Sequence, residues 1–215
     1  MSIDWNPAGD FATVVDALEP LTHWRPGAAS GTAISHAWRF AHSTGENVPA
    51  GGQARACDVV WQFEWPDTQP DPRPGDWLIG QGTDRWTILT AERLQGLTRW
   101  RCTARELSIA YQLDAVVQVE LAIWGEGEHG PELTGWQVIH PSLLARVQPH
   151  EVMVDETTTP PTSTAIYKVY LSEPIELTGL QRIITPDGKD LRVMRYEAAQ
   201  RIDTLPMALV RLQMA

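Results

Sequence analysis

Apolar and polar positions alternate with a period of two along much of this chain, and the alternation comes in two matching sets. In Val59-Val60-Trp61-Gln62-Phe63-Glu64-Trp65 the aromatic residues fall on one face and Gln62 and Glu64 on the other, as in a half-buried strand. Ile166-Tyr167-Lys168-Val169-Tyr170-Leu171 answers it with about one residue of slippage. Proline follows each, at Pro66 and Pro174, and ends the strand by removing an N–H donor. A hairpin comes next in both sets. Gly75-Asp76-Trp77-Leu78-Ile79 leads through Gly80-Gln81-Gly82 to Arg85-Trp86-Thr87-Ile88-Leu89. Leu180-Gln181-Arg182-Ile183-Ile184 leads through Pro186-Asp187-Gly188-Lys189 to Asp190-Leu191-Arg192-Val193-Met194. An offset of 105 residues pairs Leu78 with Ile183, Trp86 with Leu191 and Ile88 with Val193, so one register holds through both strands. Asp187-Gly188 supplies the positive φ of a tight turn.

Each set opens on an amphipathic stretch, Ala12 to Leu18 and Leu113 to Val119, read as strands, the first also compatible with a short helix. Gly-containing breaks follow at Pro26-Gly27 and at Gly125-Glu126-Gly127. Between opening and hairpin lies a long polar segment, about Ala41 to Gln53 in the first set and His150 to Thr164 in the second. Loops of that length in compact domains are usually functional or disordered. Glu46, Asn47 and Val48 in the first, and Asp155, Glu156, Thr157, Thr158 and Thr159 in the second, are therefore the candidate partner-contact residues. The pattern predicts an all-β protein made of two tandem small antiparallel barrels or sandwiches related by internal duplication, residues 1–110 and 111–215.

Composition narrows the function classes. The net charge is −10, divided as −4 up to Gln112 and −6 beyond it, so neither half is a basic nucleic-acid module. Arg99, Arg101 and Arg105 form a local basic group, read as a solvated strand face. Cys57 and Cys102 have no metal-ligand or redox spacing; they pair only if their strands are neighbours, and otherwise are buried thiols. Met1-Ser2-Ile3-Asp4-Trp5 has no signal-peptide pattern, and no apolar run nears the roughly 18 residues of a membrane span. The expectation is a soluble protein made in the cytoplasm, without membrane partners.

No catalytic, cofactor or metal site is legible, and the expectation is a protein that is not an enzyme. A nucleophile needs an activating base, and none of the six histidines stands in such a context. His36 and His42 are six apart but lack a third ligand. Asp67, Asp71 and Asp76 lie among Pro66, Pro70, Pro72 and Pro74, which reads as a rigid solvated loop. Ten tryptophans fall mostly in predicted strands, as core filling or, alternatively, as platforms of a carbohydrate- or protein-binding β-sandwich.

The two hairpin regions resemble the small head-closure and head–tail joining (connector) proteins of tailed phages. In the first set the similarity lies in Pro74-Gly75-Asp76-Trp77-Leu78-Ile79, Asp84 to Leu89, and Thr98-Arg99-Trp100-Arg101-Cys102. In the second it lies in Ala145 to Pro149, Tyr167 to Leu171, Asp187-Gly188 and Leu205-Pro206. The resemblance covers about half of each set. It implies a small β-barrel that assembles as a ring at the portal exit, contacts portal, adaptor or tail proteins, lets DNA pass without specific binding, and resides in the virion. Members are typically single modules, so the duplication departs from the pattern.

Overall fold

A computed structural model describes residues 17–41, 58–66, 68–81, 84–94, 99–155 and 162–213. The chain separates into two compact units, Met1–Ala110 and Tyr111–Ala215. Each is an all-β closed barrel of six antiparallel strands.

The first barrel comprises β1 (Leu18–Trp24), β2 (Thr32–Ala41), β3 (Asp58–Phe63), β4 (Trp77–Ile79), β5 (Arg85–Arg93) and β6 (Trp100–Glu106). Around the wall the order is β1-β2-β3-β6-β5-β4, and β4 closes onto β1 through Thr22↔Ile79, His23↔Leu78 and Trp24↔Trp77. A single helical turn, Leu107–Ala110, ends the unit. The second barrel comprises β7 (Ala115–Gly127), β8 (Gly130–Asp155), β9 (Thr162–Leu171), β10 (Gln181–Ile184), β11 (Asp190–Glu197) and β12 (Met207–Leu212). Its order, β7-β8-β9-β12-β11-β10, closed by β10 on β7, is the same circuit.

The duplication extends to single rungs of the ladder. Leu78 pairs with Trp86 as Ile183 pairs with Leu191, so the offset of 105 is a structural equivalence. Both Leu78 and Ile183 are fully buried. Gly188 turns the second hairpin with φ of +80°, a conformation that side chains with a Cβ resist. Inside the first barrel Trp61, Phe63, Trp86 and Ile88 form the core with Leu21 and Cys102; in the second, Val169, Leu191 and Val193 do so with Val117 and Leu143. Tyr167 is half-buried and packs against this core. Burial of side chains like these is the main stabilising term, roughly 1.5–3 kcal/mol each.

Three expectations are corrected, and a fourth falls mostly outside the described residues: of the opening stretch Ala12 to Leu18 only Ala17 and Leu18 are described, and the strand that begins there is Leu18–Trp24. Pro20 sits where the β1–β2 register shifts, and His23 takes an inward position, so the apolar alternation is broken there. Slippage in the third strand is three residues, not one. Trp61 pairs with Cys102 and Val169 with Ala208, while Phe63 pairs with Trp100 and the Leu171 N–H reaches Pro206. The polar segment from His150 is not a loop throughout: residues 150–155 continue β8 and 162–164 begin β9. Lastly, Asp76 is fully buried and does not belong to a solvated loop.

Candidate functional site

Two features stand out from the barrel frame: projecting ribbons on the second unit, and a buried polar network in the first.

The ribbons follow from strand length. β7 runs for 13 residues and β8 for 26, far beyond the four-residue β10 that β7 meets on its other edge. Rungs Ile123↔Gly135, Trp124↔Leu133 and Gly125↔Glu132 through Gly127↔Gly130 thus join a two-stranded arm past the barrel wall. A second arm forms where Glu151↔Ile166 through Asp155↔Thr162 outrun the β9–β12 ladder, which spans Ile166 to Tyr170. Apolar side chains are solvent-exposed on both. Ile123 and Trp124 are 44% and 50% exposed on the first arm, and Val152 and Met153 are 63% and 54% exposed on the second. The first arm's tip is acidic, with Glu126, Glu128 and Glu132 around His129.

Of the sequence-predicted contact residues, Asp155 ends β8 at the tip of the second arm. Glu156, Thr157, Thr158 and Thr159, and Glu46, Asn47 and Val48, lie outside the described residues. The two groups nonetheless occupy one topological position, the link between the second and third strands of each barrel.

The buried network centres on Asp76, which follows the turn before β4. Its Oδ2 accepts from His23 Nε2 (2.9 Å), the Arg73 backbone N–H (3.2 Å) and Arg25 Nη2 (3.3 Å); Arg73 Nε lies 3.5 Å from Oδ1. His23 and Asp76 have ion-pair geometry, yet burial outweighs the carboxylate's pull and holds the imidazole pKa below its ordinary 6.5. The contact is therefore a hydrogen bond from a neutral ring. Trp65 meets that ring edge-on, with centroids 4.7 Å apart. Beside them opens a recess of about 130 Å3, lined by His23, Arg25, Ser30, Thr32, Trp65 and Gln69 among others. Sequence reading passed over His23 because its partner lies 53 residues away, beyond any local pattern. The signal available was the repeat register, which sets Asp76 against Gln181.

Other sequence candidates resolve individually. Arg105 forms a two-pronged, half-buried ion pair with Asp58 (2.6 and 2.9 Å), so it is not a solvated cation. Arg101 is exposed and faces Glu92 at 3.5 Å. Cys102 is a buried free thiol, its pKa pushed up to about 12 chiefly by burial; Cys57 lies outside the described residues. His36 is exposed on β2, and His42 lies outside the described residues. Trp124 is the exposed tryptophan among the described residues; Trp61, Trp86 and Trp100 are buried and the others half-buried. Among the described residues no group of three or more His, Cys, Asp or Glu could hold a metal ion, and no helix is long and apolar enough to cross a membrane.

Comparison with models of known protein families, with curated protein sequences and with solved structures finds no match to this chain.

Proposed function

We propose that this chain is a structural connector of the phage head–tail type, assembling with portal or tail proteins, or with further copies of itself, through the arms of its second barrel. The observation that carries this reading is the pair of ribbons that outrun the barrel wall with the apolar residues Ile123, Trp124, Val152 and Met153 largely exposed. A two-stranded ribbon is marginal by itself in water, and exposed apolar side chains on open strand edges suit pairing with another chain. The acidic balance supports passage of DNA without adhesion, because a surface that lacks excess positive charge gains no counterion release. On this reading the protein acts by assembly and not by catalysis.

The test is association. Purified protein, alone and mixed with candidate portal-exit proteins, is followed by light scattering during gel filtration. Discrete higher-order assembly is expected, lost in Ile123→Ser/Trp124→Ser and after deletion of residues 156–161, with the circular-dichroism melting temperature nearly unchanged. Assembly that survives both changes would remove the arms from the mechanism. A monomer that binds glycans through Trp124 would replace the connector reading with that of a carbohydrate-binding module.

A further inference from the structure

The two barrels share one circuit, so each serves as a control for the other. His23 and Val119 stand on the same rung, one paired with Leu78 and the other with Ile183. Asp76 and Gln181 also correspond. Each side-chain oxygen accepts the backbone N–H three residues earlier, from Arg73 at 3.2 Å and from Thr178 at 2.7 Å. The second barrel thus closes with a fully buried valine and an uncharged amide. The first places an imidazole and a carboxylate at those positions, with Arg25 drawn in beside them. Burying such groups is costly unless they are fully partnered, and at these two positions the second barrel makes do without them, its own buried carboxylate Glu120 standing one residue along and paired with Arg182. The departure from the common frame therefore points to use.

What the network holds in place is Arg25, at the lip of the recess. Among the described residues Arg25 hydrogen-bonds only through Nη2, to the Asp71 carbonyl (2.8 Å) and to Asp76 (3.3 Å). Nε is buried with no hydrogen-bond partner among the described residues, on a side chain that is 26% exposed. Ser30, Thr32 and Gln69 add polar residues to the lining, and Trp65 and Pro70 add apolar ones. The indole is fixed by its own hydrogen bond to the Gln69 carbonyl, 3.3 Å, and by the His23 ring. Gly31 keeps the β1–β2 turn close, since a Cβ there would lie 2.4 Å from Thr22 Cγ2. A guanidinium with a donor to spare, lining the same recess as an indole, suits an oxyanion on an apolar body. We propose that this recess of the first barrel binds a small carboxylate, the oxygens on Arg25 with Ser30 or Thr32 and the apolar part against Trp65 and Pro70. The volume, about 130 Å3, is close to that of a cavity able to hold one benzene ring. The recess belongs to the first barrel and the arms to the second, so its ligand chemistry holds whether or not the chain is a connector.

Benzoate is the probe, with benzamide as its neutral isostere. Both are titrated into the 15N-labelled full chain, and the Trp65 indole N–H is followed after assignment with Trp65→Phe. Benzoate should shift that signal saturably, and benzamide should bind at least about tenfold more weakly, the loss expected of one charge-assisted hydrogen bond. Arg25→Gln should weaken benzoate binding similarly, and amide signals around Val119 and Gln181 should not move. A short peptide ending in phenylalanine, as free acid and as amide, separates the sources. Tighter binding of the free acid than of benzoate assigns the carboxylate to a polypeptide terminus; the reverse assigns it to a free small molecule. No saturable shift up to about 10 mM benzoate, the weak end of specific binding, would overturn the proposal. So would equal binding of benzamide, a comparison that needs no folded variant.

Discussion

Replacing Trp86 with alanine tests both the inward face of β5 and the equivalence of the barrels. Trp86 is 3% exposed, and its ring lies 5.3 Å from that of Trp61 in an edge-to-face arrangement. Behind it the Gly80 backbone approaches so closely that a Cβ there would sit 2.9 Å from Trp86 Cζ3. The space is therefore filled on both sides, and the truncation leaves a cavity. Its cost should be about 3–5 kcal/mol, of which the aromatic pair accounts for roughly 0.5–1.5 kcal/mol. A unit of this size has a total stability on the order of 5–15 kcal/mol, so the variant should be severely weakened. Leu191→Ala, at the matching rung and fully buried, should cost about 2–5 kcal/mol. Urea unfolding followed by tryptophan fluorescence and far-ultraviolet circular dichroism separates the two. Eight of the ten tryptophans lie before Ala110, so fluorescence reports mainly the first unit. The Trp86 variant should displace the fluorescence transition; the Leu191 variant should be seen chiefly by dichroism. A loss below about 1 kcal/mol for Trp86→Ala, typical of surface changes, would show that its face is wrongly placed.

Three further measurements follow from the same geometry. His23 has a folded-state pKa below 6.5, so the unfolded chain takes up the proton first and stability should fall as pH drops below about 6.5; urea midpoints between pH 5 and 8 should show a slope that His23→Val reduces, and an unchanged slope would refute the buried neutral imidazole. Cys102, with its thiol pKa raised to about 12, should resist iodoacetamide in the native protein at pH 8 and react in urea, as read by peptide mass mapping; rapid native labelling would contradict its burial. Gly188→Ala at φ +80° should cost roughly 1–2 kcal/mol by thermal melting although open space surrounds the position, and a neutral result would mean that the turn relaxes.

The hairpins were legible in the sequence because their information is local. Alternation around Leu78 and Ile183 and the Asp187-Gly188 turn fix strand, face and register within a few residues of each other. Strand β8 was hidden for a physical reason. Pro141 and Pro149 suggest interruptions, yet both stand at register shifts, where Pro141-Ser142 oppose the single residue Gln118 and His150 is an extra residue, and such bulges tolerate a missing donor. The arms were hidden too, since a ribbon that outruns its barrel has no buried face to give a period, and its apolar residues are exposed. The recess lay furthest from view. It depends on one histidine in a core-facing position and a carboxylate beside the neighbouring strand at the closing seam, a relation that only the closed wall creates.

The shared circuit also constrains how the chain reaches its native state. In each barrel the sixth strand lies between the third and fifth, so the wall cannot close until that strand has been synthesised: Trp100–Glu106 for the first, Met207–Leu212 for the second. If the first slot is still open when synthesis is complete, because Trp100–Glu106 has not docked, the equivalent strand of the second copy or of a neighbouring chain could occupy it. Exchange of this kind is a characteristic failure of tandem repeats. The inward residues act against it. The first slot takes Trp100, Cys102 and Ala104, whereas β12 offers Ala208 and Val210. A mispaired β12 would leave the volume of an indole unfilled beside Phe63, which pairs with Trp100 in the native wall. Divergence between the copies thus works against exchange: by shape, the first barrel disfavours the last strand of the second.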